Sequence, residues 1–239
     1  MILISELHKK YGKFKVLNGI NLKVDKGMVL GLVGPNACGK TTLIKCLLGL
    51  SHYSTGKITI QDCDIQTGNE YRRLIGYMPQ NPDFPGNLKV QEIFKMMEDL
   101  RGEPAKFKDH LIDYFSLEDS MEKKLEVLSG GTKQKVAAVL AFMFEVPILI
   151  LDEPTVGLDP VAGSKFKELV RERAKSGTTI IIVSHVLSEL EQVATDVSFI
   201  FDGKVLTTMS LDELKKKSID SSLEKAVMEI FHEKNRGAK

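Results

Sequence analysis

The chain has 239 residues, 43% of them hydrophobic, enough for one large α/β domain or two small ones and too apolar for a disordered chain. Its 33 basic and 32 acidic residues leave a net charge of +1, so no general field draws it to nucleic acid or to an anionic membrane surface. Cys38, Cys46 and Cys63 are odd in number and form no C-x-x-C pair, which argues against a zinc or disulfide framework and fits a reducing compartment.

Residues 1–6 lack the basic start and small-residue cleavage site of a secretion signal. The first thirty residues alternate in strand fashion around a turn at Tyr11-Gly12-Lys13, and residues 57–61 alternate again, as antiparallel strands with one wet face do. Residues 28–33 form a short apolar run of strand length, followed by Gly34-Pro35-Asn36-Ala37-Cys38-Gly39-Lys40-Thr41-Thr42 and then by residues 43–48, which suit a helix. Strand, glycine loop and helix in that order are the context a G-x-x-x-x-G-K-[ST] pattern needs, because backbone N–H groups must wrap phosphate oxygens beside a helix N-terminus. Gly34 and Gly39 permit the required backbone angles and close approach. Lys40 would reach the β- and γ-phosphates, Thr41 would take a position on Mg²⁺, and Thr42 could bond the α-phosphate.

Gln80 sits between Pro79 and Pro82 beyond a further strand, a stiff exit that would hold its amide near a metal and an attacking water. Between residues 81 and 147 the strand signal gives way to amphipathic helix, with Val90, Ile93, Phe94, Met97 and Leu100 on one stripe. Within it, Ser129-Gly130-Gly131 opens a helix predicted over 133–144 and makes a second anion site from a hydroxyl, two glycine amides and a helix tip. One nucleotide does not need two such tips, so the second is free to meet the γ-phosphate held by another copy, in a head-to-tail pair. The most apolar stretch, 136–151, is broken by Glu145 and Pro147 and is too short to span a bilayer.

Residues 148–151 and 179–183 are unbroken apolar runs, the mark of parallel strands covered on both faces, and the stripe of Phe166, Leu169, Val170 and Ala174 between them supplies a crossover helix. The first run ends in Asp152-Glu153, where one carboxylate can hold Mg²⁺ and the next can orient water and accept its proton. His185 follows the second run and offers a donor to phosphate oxygens in the transition state. Residues 197–206 read as a hairpin about Asp202-Gly203, and Leu223, Val227, Ile230 and Phe231 line one face of a C-terminal helix.

Taken together, the Gly34–Thr42 loop, Gln80, Leu128-Ser129-Gly130-Gly131-Thr132, Asp152-Glu153-Pro154-Thr155, Gly157-Leu158-Asp159-Pro160 and His185 stand in the order and spacing of the ATP-binding-cassette family, and the chain resembles its nucleotide-binding transporter subunits over essentially its whole length. The resemblance implies a P-loop NTPase fold of the RecA-like kind. That fold divides here into an antiparallel β subdomain (1–27 and 55–70), a parallel nucleotide-binding core (28–54, 71–80 and 146–206), a helical subdomain (81–145) and a helical tail (207–239). It also implies that Tyr11 stacks on adenine, that Glu153 is the base and His185 the switch histidine, that Gln80 joins Thr41 and Asp152 around Mg²⁺, and that Asp159 couples two sites across a dimer. Two ATP molecules would then lie between the Gly34 loop of one subunit and Ser129–Gly131 of the other. Partners would be integral-membrane permeases at the cytoplasmic face, docking beside Gln80 and the helical insertion, where Phe84, Pro85, Val90, Phe94 and Met97 supply apolar surface and some of them must instead pack the insertion's own core. A narrower similarity is to the ATPase of the copper-processing transporter that matures nitrous oxide reductase. The alternative is a non-transport or binding-only regulatory cassette; the first usually has two cassettes or a coiled-coil insertion, and the second would lose Glu153 or His185.

The sequence departs from the family in three places. Ala37 stands where glycine is usual, Cys38 where alanine or serine is, and Thr132 where glutamine is. Cys38, beside Lys40 and a helix tip, is expected to favour thiolate, so that alkylation inhibits hydrolysis and bound ATP protects.

Overall fold

The computed structural model describes residues 1–217. The stripe at Leu223, Val227, Ile230 and Phe231 lies outside them. Strands β1 (Ile2–Tyr11) and β2 (Phe14–Val24) form a hairpin whose turn places Gly12 at φ +57°. With β4 (Thr55–Ile60) and β5 (Cys63–Asp64) they make a four-stranded antiparallel sheet in the order β2-β1-β4-β5.

The second sheet has six strands in the order β10-β9-β3-β8-β7-β6. Its parallel part comprises β3 (Val29–Val33), β6 (Ile75–Met78), β7 (Ile148–Asp152), β8 (Thr179–Val183) and β9 (Asp196–Phe201), with β10 (Lys204–Ser210) antiparallel at the edge. Every residue of β3, β7 and β8 is buried, because successive side chains enter opposite cores. Leu30, Leu32, Ile148, Ile150, Ile181 and Val183 join one core with the antiparallel sheet and helix α1 (Lys40–Leu47). Their neighbours Val29, Val33, Leu149, Leu151, Ile180 and Ile182 join the other, with the helices of the insertion and α5 (Pro160–Lys175). Continuous apolar runs in the sequence are thus the cost of serving two cores at once.

The insertion contains α2 (Val90–Arg101), α3 (Lys108–Tyr114) and α4 (Gly130–Phe142). The α4 helix begins at Gly130, three residues before its predicted start, because the Ser129 hydroxyl caps it. On α2 the expected stripe breaks at its end: Val90, Ile93 and Phe94 are buried, but Leu100 is 68% exposed. There the next residue, Arg101, turns inward and donates to the carbonyls of Arg73 and Ile75 at 2.9 Å, with its guanidinium 4.5 Å from the Phe144 ring centroid. The predicted hairpin is present but longer, since β10 runs to Ser210 before a further helix (Leu211–Lys217) begins. Among the described residues no helix is long and apolar enough to cross a membrane.

Candidate nucleotide site

Parallel strands deliver their C-terminal ends to one edge of the sheet, and ligands of open α/β sheets bind there. At this edge β3 leads into Gly34, β7 ends at Asp152, β8 leads to Ser184 and His185, and β6 leads towards Gln80. Asp152 pairs in register with Val183, and β8 alone separates β7 from β3, so the strand ends that carry the carboxylates and the glycine loop are two strand spacings, about 10 Å, apart. A cleft of about 290 Å³ joins them. Its walls include Asn36, Ala37, Gly39, Lys40, Thr41, Thr42, Gln80, Asp152 and Glu153, with Phe14, Val16 and Val183.

The loop is shaped by its glycines. A Cβ on Gly34 would lie 2.2 Å from the Ile200 carbonyl oxygen, and Gly39 has φ +109°. Ala37, the departure from glycine, also lies in the left-handed region at φ +63°, a conformation that costs about 1 kcal/mol for a residue with a side chain. The Lys40 ammonium is folded into the loop and donates to the carbonyls of Gly34 at 2.6 Å and Pro35 at 3.0 Å. It also lies 3.8 Å from the Cys38 sulfur, which is buried against Gly34. A reagent must therefore open the loop to reach Cys38. The exposed thiol is that of Cys63, while Cys46 is buried and pushed up to about 11 by that burial.

Asp152 and Glu153 differ in their surroundings. Burial, with Glu153 adding to it, pushes the Asp152 carboxyl up to about 6, against the opposing pull of Lys40 and Lys45. A buried carboxylate so short of positive charge suits a cation, and the Thr41 hydroxyl, the Gln80 amide oxygen and Asp152 are the hard oxygen donors that Mg²⁺ takes. Among the described residues no group of three or more His, Cys, Asp and Glu side chains could hold a metal by itself, so phosphate oxygens would have to complete the shell. Glu153 follows the strand at φ +47°, and its Oε2 lies 2.8 Å from Nδ1 of His185, whose ring is largely exposed. The His185 backbone N–H also approaches the same carboxylate oxygen at 3.4 Å.

The second glycine turn does not line this cleft. Ser129 caps α4, its Oγ accepting from the Thr132 N–H at 3.2 Å and lying 2.9 Å from the Thr132 hydroxyl. Asp159 caps α5 through the Ala162 N–H at 2.8 Å and pairs with Lys135 at 3.1 Å; these two contacts, the backbone bond first, hold its carboxyl below the usual range. Tyr11 is turned from the cleft: its hydroxyl lies 3.3 Å from Ser51 Oγ, beyond the far end of α1, and Lys9 covers its ring. The aromatic wall on this hairpin is instead Phe14, 70% exposed, with Val16 behind it. Sequence reasoning missed Phe14; the signal available was its place two residues beyond the glycine turn that aims the hairpin.

Residues 17–156 match the family described as ABC transporter. The chain is 32% identical over 216 residues to a lantibiotic transport ATP-binding protein of Streptococcus pyogenes, covering 89% of this chain and 92% of that one. It is 34% identical over 221 residues to a bacitracin transport ATP-binding protein of Bacillus licheniformis, covering 91% and 72% respectively. A solved ATP-binding subunit of an ABC transporter superposes with a TM-score of 0.89 at 29% identity, over 97% of this chain and 99% of that one. A cassette solved as a dimer after hydrolysis, with ADP and phosphate bound, shares the fold with a TM-score of 0.77 at 23% identity, over 88% of this chain and 98% of that one. The chain therefore belongs to the ABC transporter family. It is an ATP-binding and ATP-hydrolysing cassette.

Proposed function

We propose that this cassette works as a head-to-tail pair around two ATP molecules and drives a separate membrane permease at the cytoplasmic face. The observation that carries this reading is the division of labour within one chain: the Gly34 loop opens onto Asp152 and Glu153, while the Ser129–Gly131 tip lines no part of that cleft. A triphosphate entering the loop offers oxygens to Lys40 in exchange for the Gly34 and Pro35 carbonyls, and to the first N–H groups of α1. The purine lies against Phe14 and Val16, in place of the stacking on Tyr11 that the resemblance implied. Mg²⁺, held by Thr41, Asp152 and Gln80 with phosphate oxygens, would neutralise developing charge. Glu153, released from His185, orients water and takes its proton, and His185 turns to the γ-phosphate. Ser129, Gly130 and Gly131 of the second copy close the site, and Asp159 lies at the seam.

The docking surface expected at Phe84, Pro85, Val90, Phe94 and Met97 is shared with the insertion's own core, as expected. Val90 and Phe94 are core residues and Phe84 and Met97 pack half-buried on that core, which leaves Pro85 exposed. Exposed apolar surface available to a permease segment also includes Leu50 and Leu100, with a cavity of about 200 Å³ lined by Leu48, Leu50, Arg72, Ile75 and Tyr77. The relatives are named for lantibiotic and bacitracin transport, which favours a transport role for this cassette. Copper, if it is the cargo, would be carried by the permease side, since no metal-binding cluster occurs among the described residues.

Glu153→Gln tests the reading. Hydrolysis should fall by about 10²–10⁴-fold, the usual worth of a positioned base, while an ATP-dependent dimer accumulates on gel filtration. Undiminished turnover would identify a cassette that does not use this base, and unchanged oligomeric state with lost turnover would remove the pairing.

A further inference from the structure

We infer that Gln134 is a positioning residue for Glu153, and that with Lys135 it carries the state of the Ser129–Gly131 turn to the carboxylate of its own chain. The inference rests on the paired reading above, since the turn must meet the partner's nucleotide.

Gln134 lies one turn into α4 and is only 3% exposed. Its Nε2 donates to the carbonyl oxygen of Pro154 at 3.3 Å, and Pro154 directly follows Glu153. The next residue of the helix, Lys135, reaches Asp159 at 3.1 Å. At the helix tip, a Cβ on Gly131 would stand 2.9 Å from the Gly157 carbonyl oxygen, so this glycine also permits the close approach of two backbones. One helix start thus grips residues 154–159 at three successive points.

That segment has reason to need holding. Glu153 sits in the left-handed region at φ +47°, a conformation that a residue with a side chain keeps only when its surroundings over-determine it. Its N–H donates to Val183 at 2.8 Å and its carbonyl accepts from Val156 at 3.2 Å. These bonds fix the residue on β8 and within its own turn, while the bond from Gln134 supplies the tie to α4. A buried carbonyl robbed of its donor has no water to turn to, so loss of the amide should let the turn shift. A displacement of the order of 1 Å at a base is felt strongly in the chemical step and little in ground-state binding. Arrival of a phosphate at Ser129–Gly131 moves the start of α4, and these contacts pass that movement to Glu153 over a single helical turn.

The test is Gln134→Met in the full chain, a replacement of similar length without a donor. Turnover at saturating ATP should fall roughly tenfold, with the KM for ATP within about twofold of the unaltered chain. In a Gln134→Met/Glu153→Gln double variant, the ATP-dependent dimer should form as it does with Glu153→Gln alone. Turnover within twofold of the unaltered chain would overturn the inference. So would parallel loss of turnover, ATP affinity and dimer, which marks a merely structural staple. Should Gln134→Met not fold, Lys135→Met at the more accessible contact asks the same question, with an expected loss of roughly threefold in turnover and none in KM. Absence of a trapped dimer with Glu153→Gln itself would strike at the paired reading, and the turnover of Gln134→Met would still score the positioning of Glu153.

Discussion

The helix starts at Gly39 and at Ser129 face the same difficulty, because the first N–H groups of any helix lack partners within it. At α4 the difficulty is met inside the chain, by the Ser129 side chain on the Thr132 N–H. At α1 it is not met: Gly39 supplies no side-chain cap, the first turn carries no acid, and a lysine ammonium turns back on the loop's own carbonyls. The first tip is thus unfinished without an anion, and the second is a finished element with amides to spare. Strong binding belongs to the first and conditional binding to the second.

Replacing Lys40 by Met should break the comparison most severely, weakening ATP binding by 100-fold or more, on the order of 3 kcal/mol for a charge-assisted contact with phosphate, as read by fluorescent-nucleotide titration. Ser129→Ala should leave nucleotide binding to the isolated chain within twofold and reduce hydrolysis about tenfold, with a loss near 1 kcal/mol of stability from the missing cap. Equal losses of binding in the two variants would erase the distinction between the tips.

Acid should sharpen it next, through the metal side of the first tip. Asp152 in the empty chain binds its proton up to about pH 6, above its ordinary value, so the folded state holds more protons than the unfolded one between roughly pH 4 and pH 6. Stability of the empty chain should fall as pH rises through that window, whereas the stabilisation given by Mg²⁺ and ATP should grow, since the cation requires the ionised carboxylate. Between pH 5 and pH 7.5 the melting temperature without ligand should therefore fall while the increment given by Mg²⁺–ATP grows, and Asp152→Asn should flatten both. The smallest effect is expected on the hairpin: Phe14→Ala should raise the KM for ATP about fivefold, in keeping with about 1 kcal/mol for a stacked ring, and Tyr11→Ala should leave it unchanged. The reverse ranking would return the base to Tyr11.

Much of this architecture could be read from the chain alone, for a physical reason. Strands that serve two cores, such as Ile148–Asp152 and Thr179–Val183, have no polar face, and a glycine loop between strand and helix has few other uses. What stayed hidden depended on where neighbours lie. The stripe on α2 contains Leu100 by spacing, yet only the inward turn of Arg101 shows that the helix has left the core there. Tyr11 and Phe14 flank one turn, and nothing in their order tells which ring reaches the cleft. Gln134 carries no signal of its own in the sequence, because its partner Pro154 lies 20 residues away and offers only a backbone oxygen.

The ammonium of Lys40, seated on two carbonyls of its own loop, also bears on inhibitor chemistry. A neutral heterocycle that fills the cleft beside Phe14 leaves those bonds intact and gains nothing from them. A compound bearing a sulfonate or a tetrazolate at the depth of the loop would recruit the same cation, and selectivity among related cassettes could then be sought in the crowded corner formed by Ala37 and Cys38.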